Sequence, residues 1–198
     1  MKMRKRLLII SLVLALALTV SAPAAALTCG EFDDPFHCEG VINEIEPTII
    51  GENVFPLPDG TWWVDDREIW GTFENGDVTG PFTLTYDAII LDAWTQEGTF
   101  WGTIETWEDE DSRVFEVTGS LEPGEIVSFD PFMLKVTVHG QWSLIENGEV
   151  YGVGNLESWA IIEADWIGGE PHAGEIVDSA FTLTGYWDDQ GNDDGNSQ

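Results

Sequence analysis

Basic side chains are nearly missing from this sequence. The 198 residues include 7 Lys+Arg against 37 Asp+Glu, a formal net charge of −30. A chain so poor in cations has no surface that could displace counterions from phosphates, which excludes nucleic acid and anionic membrane surfaces as partners. Cysteine is limited to Cys29 and Cys38, too few for a disulfide framework. The three histidines (His37, His139, His172) are scattered. No Ser-His-Asp, Cys-His or His-x-x-x-His spacing occurs, and no glycine-rich phosphate loop precedes a helix, so those catalytic sets are not supported. Beyond residue 20 there is no apolar run long enough to cross a bilayer, nor a sustained period of 3.6 residues. Aromatic residues are plentiful: 10 Trp and 10 Phe within a 43% hydrophobic composition. That supplies a core and excludes intrinsic disorder.

Four of the cations (Lys2, Arg4, Lys5, Arg6) precede an apolar run from Leu7 to Val20, which Ser21 and Pro23 close and Ala24-Ala25-Ala26 follow. This is the order of a secretory signal peptide over residues 1–26, and the run is shorter than a membrane anchor needs. The mature chain then holds 3 basic (Arg67, Arg113, Lys135) against 37 acidic side chains, a net −34. The expected location is outside the cell or on the exterior of its envelope. In that oxidising setting Cys29 and Cys38 are expected to close a small disulfide loop within an N-terminal segment, 27–60. Lipidation of Cys29, and a zinc site from Cys29, His37 and Cys38, are the alternatives.

The chain repeats itself. Shifted by 72 residues, 64–104 aligns with 136–176 without a gap, and 14 of 41 positions are identical, Trp70/Trp142, Asn75/Asn147, Gly76/Gly148 and Trp94/Trp166 among them. Chance would give about three. Phe115 to Gly119 then matches Phe181 to Gly185 after a six-residue contraction. The repeats are thus about 64–121 and 136–187, within one β domain over 61–187.

Both halves read as strands. Each carries an Asn-Gly pair, Asn75-Gly76 and Asn147-Gly148, the strongest short hairpin signal because both residues accept positive φ. Phe132, Leu134, Val136, Val138, Trp142 and Leu144 alternate with polar residues, as do Phe82, Leu84, Tyr86, Ala88 and Ile90. A period of two means a strand with one buried face. Strands are also expected at Gly98–Trp107, Arg113–Leu121 and near Thr48–Phe55. Four strands per half predict an all-β protein of about eight antiparallel strands, with a closed up-and-down barrel favoured over a two-sheet sandwich. Recurrent glycines, Gly71, Gly80, Gly102, Gly119, Gly140, Gly152 and Gly185, suit the sharp coiling of a small barrel. The stretch from Gly98 to Thr103 resembles segments of small secreted up-and-down barrels, the allene-oxide-cyclase-like shape among them. What that likeness implies is the barrel shape alone.

Comparing the halves also locates candidate site residues. Trp62, Val64, Asp66, Glu68 and Trp70 correspond to Leu134, Val136, Val138, Gly140 and Trp142, so the first half alone places two carboxylates on the inward face. Tyr86 stands where the second half has Ser158, and Asp92 where it has Ala164. Asp66 and Glu68, ringed by tryptophans, are the candidate acid and nucleophile or base of a glycosidase or lyase. The competing arrangement is a bulge at Asp65-Asp66 that turns both acids to solvent beside Arg67. On the third strand Trp101, Glu105 and Trp107 share one face, a geometry suited to stacking on sugar rings or filling cross-strand contacts. Tyr86, Trp101, Glu105 and Trp107 are therefore the expected ligand-binding residues.

Residues 188–198 have no apolar member and read as a solvated acidic tail. The clusters Glu108–Asp111 and Asp188–Asp194 offer hard oxygen ligands of the kind calcium takes, without a complete EF-hand spacing. No other cofactor is implied. The acidity itself fits high-salt adaptation, divalent-cation binding or simple solubility. The leading expectation is a secreted binding module for an apolar, aromatic or carbohydrate ligand. The alternatives are a structural envelope or matrix protein with no small ligand, and a carboxylate-dependent glycosidase or lyase.

Overall fold

A computed structural model describes residues 32–107, 112–167 and 169–188. Its ten strands are β1 (Asp34–Ile45), β2 (Val54–Pro56), β3 (Trp62–Gly76), β4 (Gly80–Asp92), β5 (Glu97–Thr106), β6 (Val114–Leu121), β7 (Glu125–Phe129), β8 (Phe132–Glu146), β9 (Glu149–Ile167) and β10 (Glu170–Trp187). The order β1-β10-β9-β8-β6-β5-β4-β3 is closed by pairing of β3 with β1, which makes an antiparallel eight-stranded barrel. β2 adds to β3 and β7 to β8, outside the ring. Closure leaves the barrel strands without free edges.

The two halves contribute unequally. The first supplies four barrel strands, β3 to β6. The second supplies three, β8 to β10, because one 18-residue strand, β10, spans the segments that match β5 and β6. The eighth strand is β1, from the N-terminal segment. Its seam with β10 is fastened by Ser179, whose hydroxyl donates to the carbonyl of Ile42 (3.0 Å) and accepts from the Ile42 N–H (2.8 Å).

The Asn-Gly pairs also diverge. Asn147 and Gly148, with φ of 52° and 83°, form a two-residue turn between the paired Glu146 and Glu149. Asn75 and Gly76 instead extend β3 and pair with Glu39 and Cys38 of β1, and the last β3–β4 pair is Phe73 with Gly80. Val78, buried beside Cys38, holds the chain in this wider path by donating its N–H to the Cys38 sulfur (3.2 Å).

The barrel ends differ in how they are filled. At the end holding the start of β1 and the end of β10, Phe36, Phe73, Phe82, Phe115, Trp142 and Phe181 form one buried cluster. Phe36 lies 4.8 Å from Trp142 and Phe73 lies 4.6 Å from Phe82, centroid to centroid. Glycine makes the room: a Cβ on Gly154 would stand 2.6 Å from Trp142 Nε1, and one on Gly185 2.8 Å from its Cζ2. The indole N–H donates to the Thr184 carbonyl (3.2 Å), so the plug contains no orphaned indole donor.

Cys38 sits in this plug as a free thiol with 0% of its surface exposed. The expected Cys29–Cys38 bridge is therefore corrected. The Cys38 side chain points into the barrel, where Val78 and the aromatic cluster surround its sulfur, while Cys29 lies outside the described residues.

Candidate functional site

The other half of the barrel is hollow. A cavity of about 120 Å3 lies between Ile42, Val64, Ile90, Leu121, Val136 and Ile162, with Phe100 and the plug residue Phe181 also on its wall. It exists because the inward positions here carry Ser158, Ala160 and Ala173 where the plug has phenylalanine and tryptophan. Four polar side chains reach its wall: Arg67, Tyr86, Gln96 and Ser158. Ser158 is already satisfied, its hydroxyl donating to the Ala180 carbonyl (2.9 Å).

Arg67 reaches the interior through a β-bulge. Val64 pairs with Ala88, but the next pair is Arg67 with Tyr86, so Asp65 and Asp66 together oppose Asp87. Asp66 takes a φ of 48°, a left-handed conformation that Asp tolerates, and its N–H donates to Asp87 Oδ1 (2.9 Å). Because side chains alternate, the added residue inverts every position after it. The inward set of β3 is Val64, Arg67, Ile69, Gly71 and Phe73. The expectation that Asp66 and Glu68 project inward is corrected accordingly: Asp66 is exposed, and Glu68 is half-buried off the cavity wall with its N–H donating to Glu46 Oε2 (3.2 Å). Trp70, expected to match Trp142, also turns away from the plug. Burial, then the charges of Asp87 and Asp66, raise the Asp65 carboxyl above its ordinary range.

Only 3% of the Arg67 surface is exposed. Nε donates to the Glu46 carbonyl (2.8 Å), which also accepts from Nη2, and Nη2 donates to the Ala173 carbonyl (3.2 Å). Beside it a recess of about 20 Å3 is lined by Arg67, Gln96, Trp62 and His172 and shares Val64, Ile90 and Ala173 with the main cavity. That volume accommodates about one water. His172 is 6% exposed, stacks edge-on against Trp62 (4.9 Å, 82°), and its buried Nε2 has no hydrogen-bond partner. Gln96 is fixed by donation from Nε2 to the carbonyls of Ala93 (2.6 Å) and Pro171 (3.2 Å).

Burial pushes the His172 imidazole below its ordinary value of 6.5, opposed by Glu170 and reinforced by Arg67. The unfolded chain then binds a proton that the folded chain refuses, so stability is lost as pH falls below about 6.5. His172→Phe, which keeps an aromatic ring against Trp62, is expected to lose less melting temperature than the parent between pH 7.5 and pH 5. Paired thermal melts at the two pH values check this.

Of the expected ligand-binding residues, Tyr86 is on the cavity wall. Trp101 and Trp107, 37% and 58% exposed, lie with Glu105 on the outer face, while Phe100 and Ile104 point inward. The four therefore divide between inside and outside rather than forming one site. Asp92 caps the β4–β5 turn, its Oδ1 accepting the N–H of Trp94 (2.7 Å) and of Thr95 (3.3 Å). No group of three His, Cys, Asp or Glu side chains suited to a metal occurs among the described residues. The calcium candidates Glu108–Asp111 and all of Asp188–Asp194 beyond Asp188 lie outside them.

Sequence reading missed Arg67, Gln96 and His172. A signal for Arg67 was present. The apolar positions of β3 change parity between Val64 and Phe73, which an unbroken strand with one buried face cannot do. No protein-family model matches this sequence, and comparison with curated proteins and with solved structures finds no match.

Proposed function

We propose that this is an exported, non-catalytic binding protein that holds a small apolar molecule inside its barrel. The observation that carries this reading is the 120 Å3 void among apolar side chains, next to an end packed solid with aromatic rings. Protein interiors are close-packed, and a void of that size costs about 3 kcal/mol in lost packing. A ligand that fills it recovers that energy. An engineered cavity of about 150 Å3 admits benzene, so a single ring or a short chain is the matching size.

Toluene is the direct probe. It is expected to raise the melting temperature saturably, because a ligand that binds only the folded state stabilises it by RT ln(1 + [L]/Kd). Ala160→Leu puts a larger side chain into the cavity and should abolish the shift while the protein stays folded. Trp101→Ala and Trp107→Ala, on the outer face, should leave it unchanged. If neither toluene nor a polar-substituted ring of the same size gives a saturable shift, the cavity reading fails and the structural-protein alternative leads. Carbohydrate-dependent stabilisation lost in the Trp101 and Trp107 variants would instead place the ligand outside.

A further inference from the structure

We propose that the molecule held in the cavity ends in a carboxylate, and that Arg67 receives it. This rests on the cavity being a ligand site and adds the chemical class of the ligand. Beyond residue 6 the chain has three cations. Lys135 lies 5.0 Å from the Trp159 ring and Arg113 4.6 Å from the Trp187 ring. Arg67 alone is drawn into the cavity wall, in a protein with 37 carboxylate side chains of which none among the described residues pairs with it. The ion pairs there join His37 to Glu39 and His139 to Glu122.

A buried ion without a counter-ion is costly, and two neutral carbonyls offset that cost only in part. The guanidinium has five donors in a planar fork that matches a carboxylate. Nε and Nη2 are engaged by the carbonyls of Glu46 and Ala173, while Nη1 bonds to none of the described residues. The second observation is His172, whose buried Nε2 lacks a partner and lines the same recess. Arg67 and His172 thus line one polar recess that adjoins the largely apolar cavity. The recess, about 20 Å3, has room for one carboxylate oxygen, with the rest of the group on the side shared with the main cavity, and it excludes a tetrahedral phosphate. The ligand is therefore an aromatic or short-chain monocarboxylic acid, with its apolar body directed toward Phe100 and Phe181.

The test uses three probes of one size, benzoate, benzamide and toluene, titrated into the mature protein at about 0.15 M salt and followed by NMR chemical shifts. Charge-assisted hydrogen bonds should make benzoate bind about tenfold to a hundredfold more tightly than benzamide. Arg67→Met should lose that preference and still take up toluene. Arg67→Lys, which keeps the charge without the fork, should retain part of it and serves if the methionine variant does not fold. Toluene binding as well as or better than benzoate to the parent protein overturns the carboxylate assignment and leaves the cavity reading standing. Saturation by none of the three overturns both.

Discussion

Trp142→Ala is expected to cost about 3–5 kcal/mol, enough to lower the melting temperature by about 6–20 °C. Trp142 is 1% exposed, lies against Phe36 and Phe115, and fills space that Gly152, Gly154 and Gly185 leave open by having no side chain. Truncation would leave a hole bordered by glycine backbone, which has no side chains to collapse into it. It would also leave the Thr184 carbonyl without its indole donor. Trp70, its counterpart in the repeat, faces away from the plug, and Trp70→Ala should cost less than half as much. Chemical denaturation of the two variants beside the parent checks both values. Equal losses would mean that the bulge at Asp65-Asp66 is absent and that Trp70 also points inward.

The second large effect is alkaline. Burial, the leading cause, pushes the Cys38 thiol up from 9.0 to about 11, against the partial help its sulfur receives from the Val78 N–H. An unfolded chain gives up that proton near pH 9, while the folded chain keeps it. The stabilisation is whole below pH 9 and disappears as pH rises toward 11, a loss of about 2–3 kcal/mol. Cys38→Ala should be less stable than the parent at pH 7, because it removes buried volume, and should show a much flatter decline between pH 9 and 11. The same burial should protect the folded thiol from alkylating reagents at pH 8, with labelling appearing only on denaturation.

Much of the architecture could be read from alternation. The inward faces of β4, β5 and β8 are those that the period of two indicated, and antiparallel closure followed from short turns and recurrent glycine. On β3, gapless identity with the second half carried past Val64 puts Asp66 and Glu68 inward, whereas the competing bulge at Asp65-Asp66 is the arrangement found. The repeat comparison therefore directed attention to Asp66 and Glu68 when the side chain entering the barrel is Arg67. The cavity was legible only in outline. Ser158, Ala160 and Ala173 are visibly small, but whether small inward residues leave space depends on what the facing strands project, and sequence spacing carries no volume. His172 belongs to no motif spacing, and its burial follows from β10 running through as one strand, which the repeat does not indicate.

The Ser179 clasp has a consequence for assembly. It joins residues 137 positions apart, and the ring cannot shut until β10 reaches β1. Bringing such distant segments together is slow, because chain entropy is lost before any pairing energy is gained. Until then β1 and β9 each present an open row of backbone donors and acceptors, the geometry that recruits other chains. A shortened chain ending before Glu170 would keep both edges permanently. Such fragments are expected to aggregate rather than fold, and the last strand to be made decides whether the whole chain stays in solution.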